Sequence, residues 1–467
     1  MAYTPRMPLR RRQILTLLVL LAASPSIAAA RDEARLKGAS RGARNGWITV
    51  RLAGTPPEIG YQHGRLLAPE IADALAVAKL SLTHDGKRDW GFYRRAAETV
   101  FWPRLDAEHR QEMQGIADGA AAAGVAIDLW DVVALNASIE VPYYTATLDE
   151  DGRSGAPDRC SAFVATGRHT RDGRPVIAHN NWSGYLEGSR WNVIFDIRPA
   201  SGHRILMDGM PGLIHSGDDF GINSAGLAIT ETTITGFKGF DPAGIPEFAR
   251  ARKAMQYAAS IDDFDRIMRG GNNGGYANAW LVADTTTGEI ARLELGLRNV
   301  TLERTRDGYF TGTNYPVSPK LAAEETKFRL DDPSLSANAR RLRAEELMKA
   351  SEGKIDVDFA KRYLSDHHDA HERKDDAPSE RTLCGHVDLS PRGMGDWFAA
   401  WGPAGTVQSK VADAAMVGRM SLAAALGHPC GRTWQAAPHL EKHPDYAWAK
   451  PLMRDLVVGP WTLFQAP

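Results

Sequence analysis

Cys160 sits between two stretches of opposite character. Before it, residues 147–159 (TLDEDGRSGAPDR) hold four acids, two glycines and a proline without apolar periodicity, the composition of an exposed connecting loop. After it, CSAFVATG reads as a strand. A cysteine that stays inside a chain has no need of such a loop. One that must become an amino terminus does, because the bond before it has to be reached and strained. In that chemistry the Cys160 thiol attacks the carbonyl of Arg159, and hydrolysis of the thioester frees Cys160 as a new terminus. An α-amine titrates near about 7.7–8.0 and a thiol near about 8.5, so the amine can then act as the thiol's own base. The residues alone leave a second reading open, a buried or disulfide-bonded cysteine.

The next strand, VIAHNNW, supplies His179, Asn180, Asn181 and Trp182. Taking Asp172-Gly173 as a two-residue hairpin turn puts Cys160 opposite Tyr185 and this polar cluster within a few residues of the thiol. Polar residues at a strand end are also ordinary loop onset. Here they are groups able to orient an amine or bind a carbonyl.

The other cysteines are Cys384 and Cys430. In an oxidising compartment an odd count leaves at least one unpaired. Cys384 and Cys430 could bridge, or all three could be buried apolar residues. SDHHDAHE offers His367, His368 and His371, but without a further ligand at metal-site spacing it reads as a solvated helix end, and no metal site is expected. His63 in YQHGR reads as a helix-packing residue. No phosphate loop or dinucleotide fingerprint occurs, so no cofactor is expected; GGNNGG follows a helix and reads as its cap. A papain-like thiol protease would carry its cysteine on a helix, whereas Cys160 opens a strand.

The chain has 467 residues, 43% apolar and 24% charged, enough for a large core. Arg10-Arg11-Arg12, the apolar run 14–23 and Ala28-Ala29-Ala30 follow the order of a secretory leader, and RRRQIL fits a twin-arginine signal. Residues 1–30 are therefore expected to be removed and the protein to be periplasmic or secreted. The apolar run is too short to anchor it in a bilayer. Without the leader, 52 basic residues face 57 acidic ones, a net charge of −5. Neither this balance nor the scattered tryptophans suit a nucleic-acid partner.

Three- and four-residue apolar spacing predicts helices from Pro56 to about Val141. Strands follow Cys160: RWNVIFDIRP with HRILMDG, GLAITETTI, and a hairpin in NAWLVADTTTGEIARLELG. Helices are predicted near 246–258 and 261–269, and again in SANARRLRAEELMKASEG and DVDFAKRYLSDHH. This order predicts an α+β fold with mainly antiparallel sheets, divided as 31–159 (helical) and 160–467 (catalytic).

Three stretches resemble the phospholipase B-like family of N-terminal-nucleophile hydrolases: CSAFVATG…VIAHNNW, MPGLIHSGDDFGINSAGLAITETTI and NGGYANAWLVAD. With GPAGTVQSKVAD and the Trp-rich C-terminus, the resemblance covers most of residues 56–467. GYQHGRLLAPEI, GTNYP and LCGH also resemble the penicillin acyltransferase-like self-cleaving cysteine hydrolases. Both resemblances imply an αββα four-layer sandwich, a Cys160 nucleophile, cleavage at Arg159–Cys160 and two chains that stay associated. They imply Asn278 as oxyanion-hole donor, His179 and Asn181 as catalytic-strand residues, and Asn180, Trp182, Asp218 and Asp219 as substrate-binding ones. Capping a turn or pairing an arginine is an equal expectation for the two aspartates. Related amidases carry an acid before the tryptophan where this chain has Asn181, which puts acid-dependent positioning of the amine in doubt. The implied reaction is hydrolysis of an acyl amide or ester, with small acyl substrates including lipids. The alternatives are an acyltransferase and a non-catalytic lipid- or peptide-binding relative.

Overall fold

The computed structural model describes residues 1–2, 32–149, 160–218, 220–395 and 397–467. The expected leader falls largely on residues 3–31, and it, Arg159 and Asp219 lie outside the described residues. The described strands form two sheets. The first runs β1 (Ser40–Arg44), β2 (Trp47–Gly54), β5 (Val193–Pro199), β6 (Ile205–Gly209), β7 (Gly221–Asn223), β8 (Leu227–Thr233), β9 (Asn278–Asp284), β10 (Glu289–Leu295), β11 (Val300–Thr305). The second runs β12 (Gly308–Gly312), β3 (Ser161–Thr166), β4 (Val176–Gly184), β13 (Ala404–Asp413), β14 (Ser421–Leu426), β15 (Thr462–Gln465). Neighbours pair antiparallel except β2 and β5, which are parallel.

Strand alternation decides the layers. Ile194, Leu206, Ala228, Leu281 and Ile290 of the first sheet meet Ala162, Val164, Ile177 and Leu422 of the second in one inter-sheet core. The alternate residues of the first sheet, such as Phe195, Met207, Ile229, Trp280 and Leu293, face helices carrying Ile59, Met113, Ile116, Val133, Phe248 and Phe264. Those of the second, Phe163, Ala165, Ala178 and Val411, face helices Ser336–Ala350 and Val357–Leu364 through Met348, Phe359 and Tyr363. The result is the αββα sandwich.

The N-terminal segment belongs to the same core. β1 and β2 form an edge of the first sheet, and Trp47 is fully buried between the sheets. Its helices Pro56–Leu66 and Ala107–Ala122 touch backbone to backbone: a Cβ on Gly60 would lie 1.9 Å from the Glu112 carbonyl oxygen, and one on Gly64 2.0 Å from that of Ile116. No described helix is long and apolar enough to cross a membrane.

One register differs from expectation. Ser161 pairs with Asn180 and Ala162 with His179, which brings Cys160 beside Asn181 and not Tyr185. The cause is the connection. β3 ends at Thr166, a 3-10 turn occupies Gly167–His169, and Thr170 bridges to Ile355 before β4 begins at Val176. Asp172-Gly173 is therefore one part of a longer loop.

Candidate active site

Cys160 immediately precedes β3 and is 1% exposed. Its φ of +76° places a non-glycine residue in the left-handed region, a conformation that costs of order 1–3 kcal/mol unless its surroundings hold it. Arg340 provides that hold. From helix Ser336–Ala350 its Nη1 donates to the Cys160 carbonyl at 2.6 Å and its Nη2 to Asn314 Oδ1 at 2.9 Å. The Asn314 amide in turn donates to the Thr233 carbonyl at 2.8 Å, tying the Cys160 backbone to the end of β8.

The Cys160 thiol, a His179 ring nitrogen and a Glu231 carboxylate oxygen lie within 4.8 Å of one another, all buried. Glu231 is held by the Tyr276 hydroxyl, which donates to it at 2.9 Å. Burial pushes the thiol well above its ordinary range and the Glu231 charge adds to this, against a hydrogen bond from the Trp182 backbone. Burial also holds His179 well below its ordinary value, helped by the Lys410 charge, so its imidazole is neutral at neutral pH.

His179 lies opposite Lys410 on β13. The Lys410 ammonium is fully buried between Asp218, with which it makes a short ion pair, and Asp208 at 3.3 Å. Ser216 Oγ donates to Asp218 Oδ1 at 2.6 Å, and Gln408 donates to both carboxylates. Burial alone would raise both acids. At Asp218 the Lys410 charge and the hydrogen bonds from Lys410 and Ser216 together outweigh it and Asp218 is lowered, while at Asp208 the neighbouring Asp218 charge adds to burial and raises it well above the usual carboxylate range. Asp218 pairs with a lysine where an arginine was one expectation.

Asn278 opens β9, in register with Thr233, and is fully buried. β3 packs over β8 and β9. Among the described residues neither end of the Asn278 amide has a hydrogen-bond partner, nor do Asn181 Nδ2, the hydroxyls of Thr232 and Thr233, or the two ring nitrogens of His179. Buried polar groups are ordinarily satisfied; here several unpaired ones gather around a thiol. Asn180 and Trp182 lie on the opposite face of β4. The Asn180 amide donates to the Leu364 and Leu383 carbonyls at 2.8 and 2.9 Å, and Trp182 stacks under Arg340 at 4.4 Å. His63 is a packing residue, as expected: its Nε2 accepts from the Gly212 backbone at 2.9 Å, and burial lowers it to about 3.

A cavity of about 880 Å³ opens between the N-terminal helices and the second sheet, lined by Val77, Leu82, Tyr93, Ile139, Val141, Trp191, Met210, Leu213 and Phe398. It reaches Ser183 and Gly184 at the end of β4, and Asp149, the last described residue before Cys160, stands at its wall. Cys160 itself does not line it.

The phospholipase B family profile matches residues 107–459. The chain belongs to the phospholipase B family. Within it, this member is 29% identical over 244 residues to an uncharacterized protein of Archaeoglobus fulgidus, covering 49% of this chain and 40% of that one. It is 31% identical over 144 residues to a phospholipase B-like 2 protein of Bos taurus, covering 27% of this chain and 24% of that one. An acyl-coenzyme A:6-aminopenicillanic-acid-acyltransferase of Emericella nidulans is 27% identical over 231 residues, 48% of this chain and 57% of that one. The matches thus span less than two thirds of each relative. Among solved structures, a conjugated bile acid hydrolase of Clostridium perfringens, in a mutant form, aligns over 57% of this chain and 88% of its own, with 11% identity and a TM-score of 0.31.

The sequence pointed to Cys160 and the strand beside it, and gave no sign of Arg340, Asn314, Glu231, Tyr276, Asp208 and Lys410, which the structure places around them. Glu231 and Lys410 lie inside quoted blocks (ETT, VQSKV) without a signal separating them from strand polar residues. Arg340 is one of three arginines in SANARRLRAEE that read alike as surface charge.

Proposed function

We propose that this phospholipase B family member is a self-processing cysteine hydrolase of acyl amides or esters, with Cys160 as nucleophile. The observation that carries the reading is Cys160 itself: a buried thiol in a left-handed backbone, at the first position before a strand, clamped through its carbonyl by Arg340. Processing would proceed by attack of Sγ on the Arg159 carbonyl, transferring the acyl group from nitrogen to sulfur. Water then hydrolyses the thioester, leaving a carboxylate at Arg159 and a free amine and thiol at Cys160. Relief of the left-handed strain favours that direction. The two products stay together, because β2 and the helices before residue 149 are built into the shared core.

In the uncut chain burial pushes the thiol up, so the N-to-S step would have to pass the thiol proton to the departing Cys160 nitrogen as sulfur attacks. The freed α-amine supplies the missing base, taking the thiol proton as sulfur attacks the substrate carbonyl and returning it to the leaving amine or alcohol. The Asn278 amide, unpaired in the buried site, would donate to the oxyanion. Water hydrolyses the second thioester and releases the acid. The apolar part of the lining of the cavity beside β4 supports a fatty-acyl group as the part of the substrate that is held, with charged residues such as Lys87, Arg88 and Glu187 on the rest of the wall.

The test is labelling of the processed protein with an acyl-mimetic electrophile, followed by peptide mapping. Modification at Cys160 together with turnover of a fatty-acyl amide or ester supports the reading. An unlabelled Cys160 and no turnover would leave a binding protein. The match to the fungal acyltransferase over 48% of this chain favours one second reading, transfer to an amine. Product analysis with and without an added primary amine separates the two.

A further inference from the structure

Behind the outer face of β4, three loops bring four side chains to one point. His367 follows helix Val357–Leu364, Cys384 and His386 flank Gly385, and Cys430 lies in the loop after β14. One ligand atom from each of these four residues lies within 4.8 Å of the others. His386 Nε2 is 3.2 Å from His367 Nε2, 3.3 Å from Cys384 Sγ and 3.6 Å from Cys430 Sγ. A ring nitrogen carries at most one hydrogen or one lone pair, so it satisfies one of these three neighbours and not the others.

The distances fit a different object. A tetrahedral Zn²⁺ with Zn–S of about 2.3 Å and Zn–N of about 2.0–2.1 Å sets its ligands about 3.3 Å apart for N···N and about 3.5 Å for N···S. From His367, Cys384, His386 and Cys430 we infer a structural zinc site that closes the loops behind β4. Two thiolates and two neutral imidazoles are the donor set that favours zinc over harder cations, and four protein ligands leave no position open for catalysis. Loading releases the two thiol protons. Cys384 and His386 are fully buried, whereas His367 and Cys430 are partly exposed, leaving the ion a way in from their side. The second shell is present: His367 Nδ1 faces Asp376 at 3.5 Å, and His428 stacks on His386 at 4.0 Å while its Nε2 meets the Tyr185 hydroxyl at 3.1 Å.

The site's position gives it a task. Leu383, whose carbonyl accepts from Asn180, precedes Cys384, and Gly385 lies so close to Trp182 that a Cβ there would be 2.2 Å from the indole. The ion therefore pins the backing of the strand that carries His179 and Asn181. SDHHDAHE is accordingly split: His367 turns into the cluster, whereas His368 pairs with Asp375 at 2.6 Å. The two cysteines are free thiols in the structure, so the rival arrangement is a Cys384–Cys430 disulfide.

The test is elemental analysis of the full chain purified under reducing conditions, with Co²⁺ exchange as a second readout. Expected are one zinc per chain, retained through desalting, and a thiolate-to-cobalt charge-transfer band with tetrahedral d–d bands after exchange. Cys430→Ser should lose both and melt earlier, while His368→Ala keeps both. If Cys430→Ser does not fold, the unmodified chain still decides. A mass lower by two hydrogens with a mapped Cys384–Cys430 bridge and no metal overturns the site. So does a reduced chain that retains neither zinc nor cobalt.

Discussion

The two faces of β4 treat their asparagines differently. Toward the first sheet it presents His179 and Asn181, whose ring nitrogens and Nδ2 respectively have no hydrogen-bond partner among the described residues, next to a strained, buried thiol. Toward the outer helices it presents Asn180 and Trp182. There every Asn180 side-chain atom is used: the amide by Leu364 and Leu383, the oxygen by Ser409, which donates at 2.5 Å. Unpaired polar groups cost stability when buried, and saturated ones fix geometry. On the inner face unpaired polar groups stand beside Cys160, whereas on the outer face Asn180 is saturated and the Trp182 indole nitrogen, without a hydrogen-bond partner among the described residues, lies under Arg340.

Four substitutions or conditions can break or sharpen that contrast. The largest effect belongs to Lys410→Met, which strips the compensating charge from Asp208 and Asp218. Such removal of one partner from a buried pair costs about 3–5 kcal/mol, read as a lower midpoint in urea denaturation. Next is Asn278→Ala, expected to lower kcat about 10²–10³-fold on a fatty-acyl substrate with little change in denaturation midpoint. A loss of stability with unchanged kcat would put Asn278 with Asn180 in the comparison. Asn180→Ala should do the reverse. Two buried carbonyls lose their donor, at about 1–3 kcal/mol, while kcat falls far less than in Asn278→Ala.

The smallest effect comes from His63, outside β4. Burial lowers it to about 3 in the folded chain, against about 6.5 unfolded. The unfolded chain binds the proton first, so its stabilisation is full above pH 6.5 and declines as pH falls towards 3. Between pH 6.5 and 5 this amounts to about 2 kcal/mol. His63→Gln should flatten the stability difference between pH 7 and pH 5 relative to the unmodified chain.

What the sequence made legible follows from how local each signal is. Hairpins β5–β6 and β9–β10, the helix pair Glu247–Tyr257 and Ile261–Arg269, and the strand after Cys160 all rest on short-range periodicity and turn residues, and they are present. The β3–β4 register was misread because a strong local turn signal at Asp172-Gly173 sits in a loop whose path is fixed by Ile355, far along the chain. The GxxHG of GYQHG carried no weight alone. Its meaning lies in the helix fifty residues on, where Gly115 and Gly119 face Gly60 and Gly64 across the same close contact. The cluster behind β4 was hidden for the same reason. Its ligands come from three loops, and the tight spacing of His367, His368 and His371 drew attention to one segment when the partners of His367 lie elsewhere.

Self-processing requires that Cys160 become a terminus. Intact-mass and N-terminal analysis of the mature protein, beside its Cys160→Ala variant, tests this directly. The account predicts two fragments from the unmodified chain, one of them beginning at Cys160, and a single uncut chain from the variant. A single uncut chain from both, with the thiol intact, would contradict it and make Cys160 an internal residue of a binding protein.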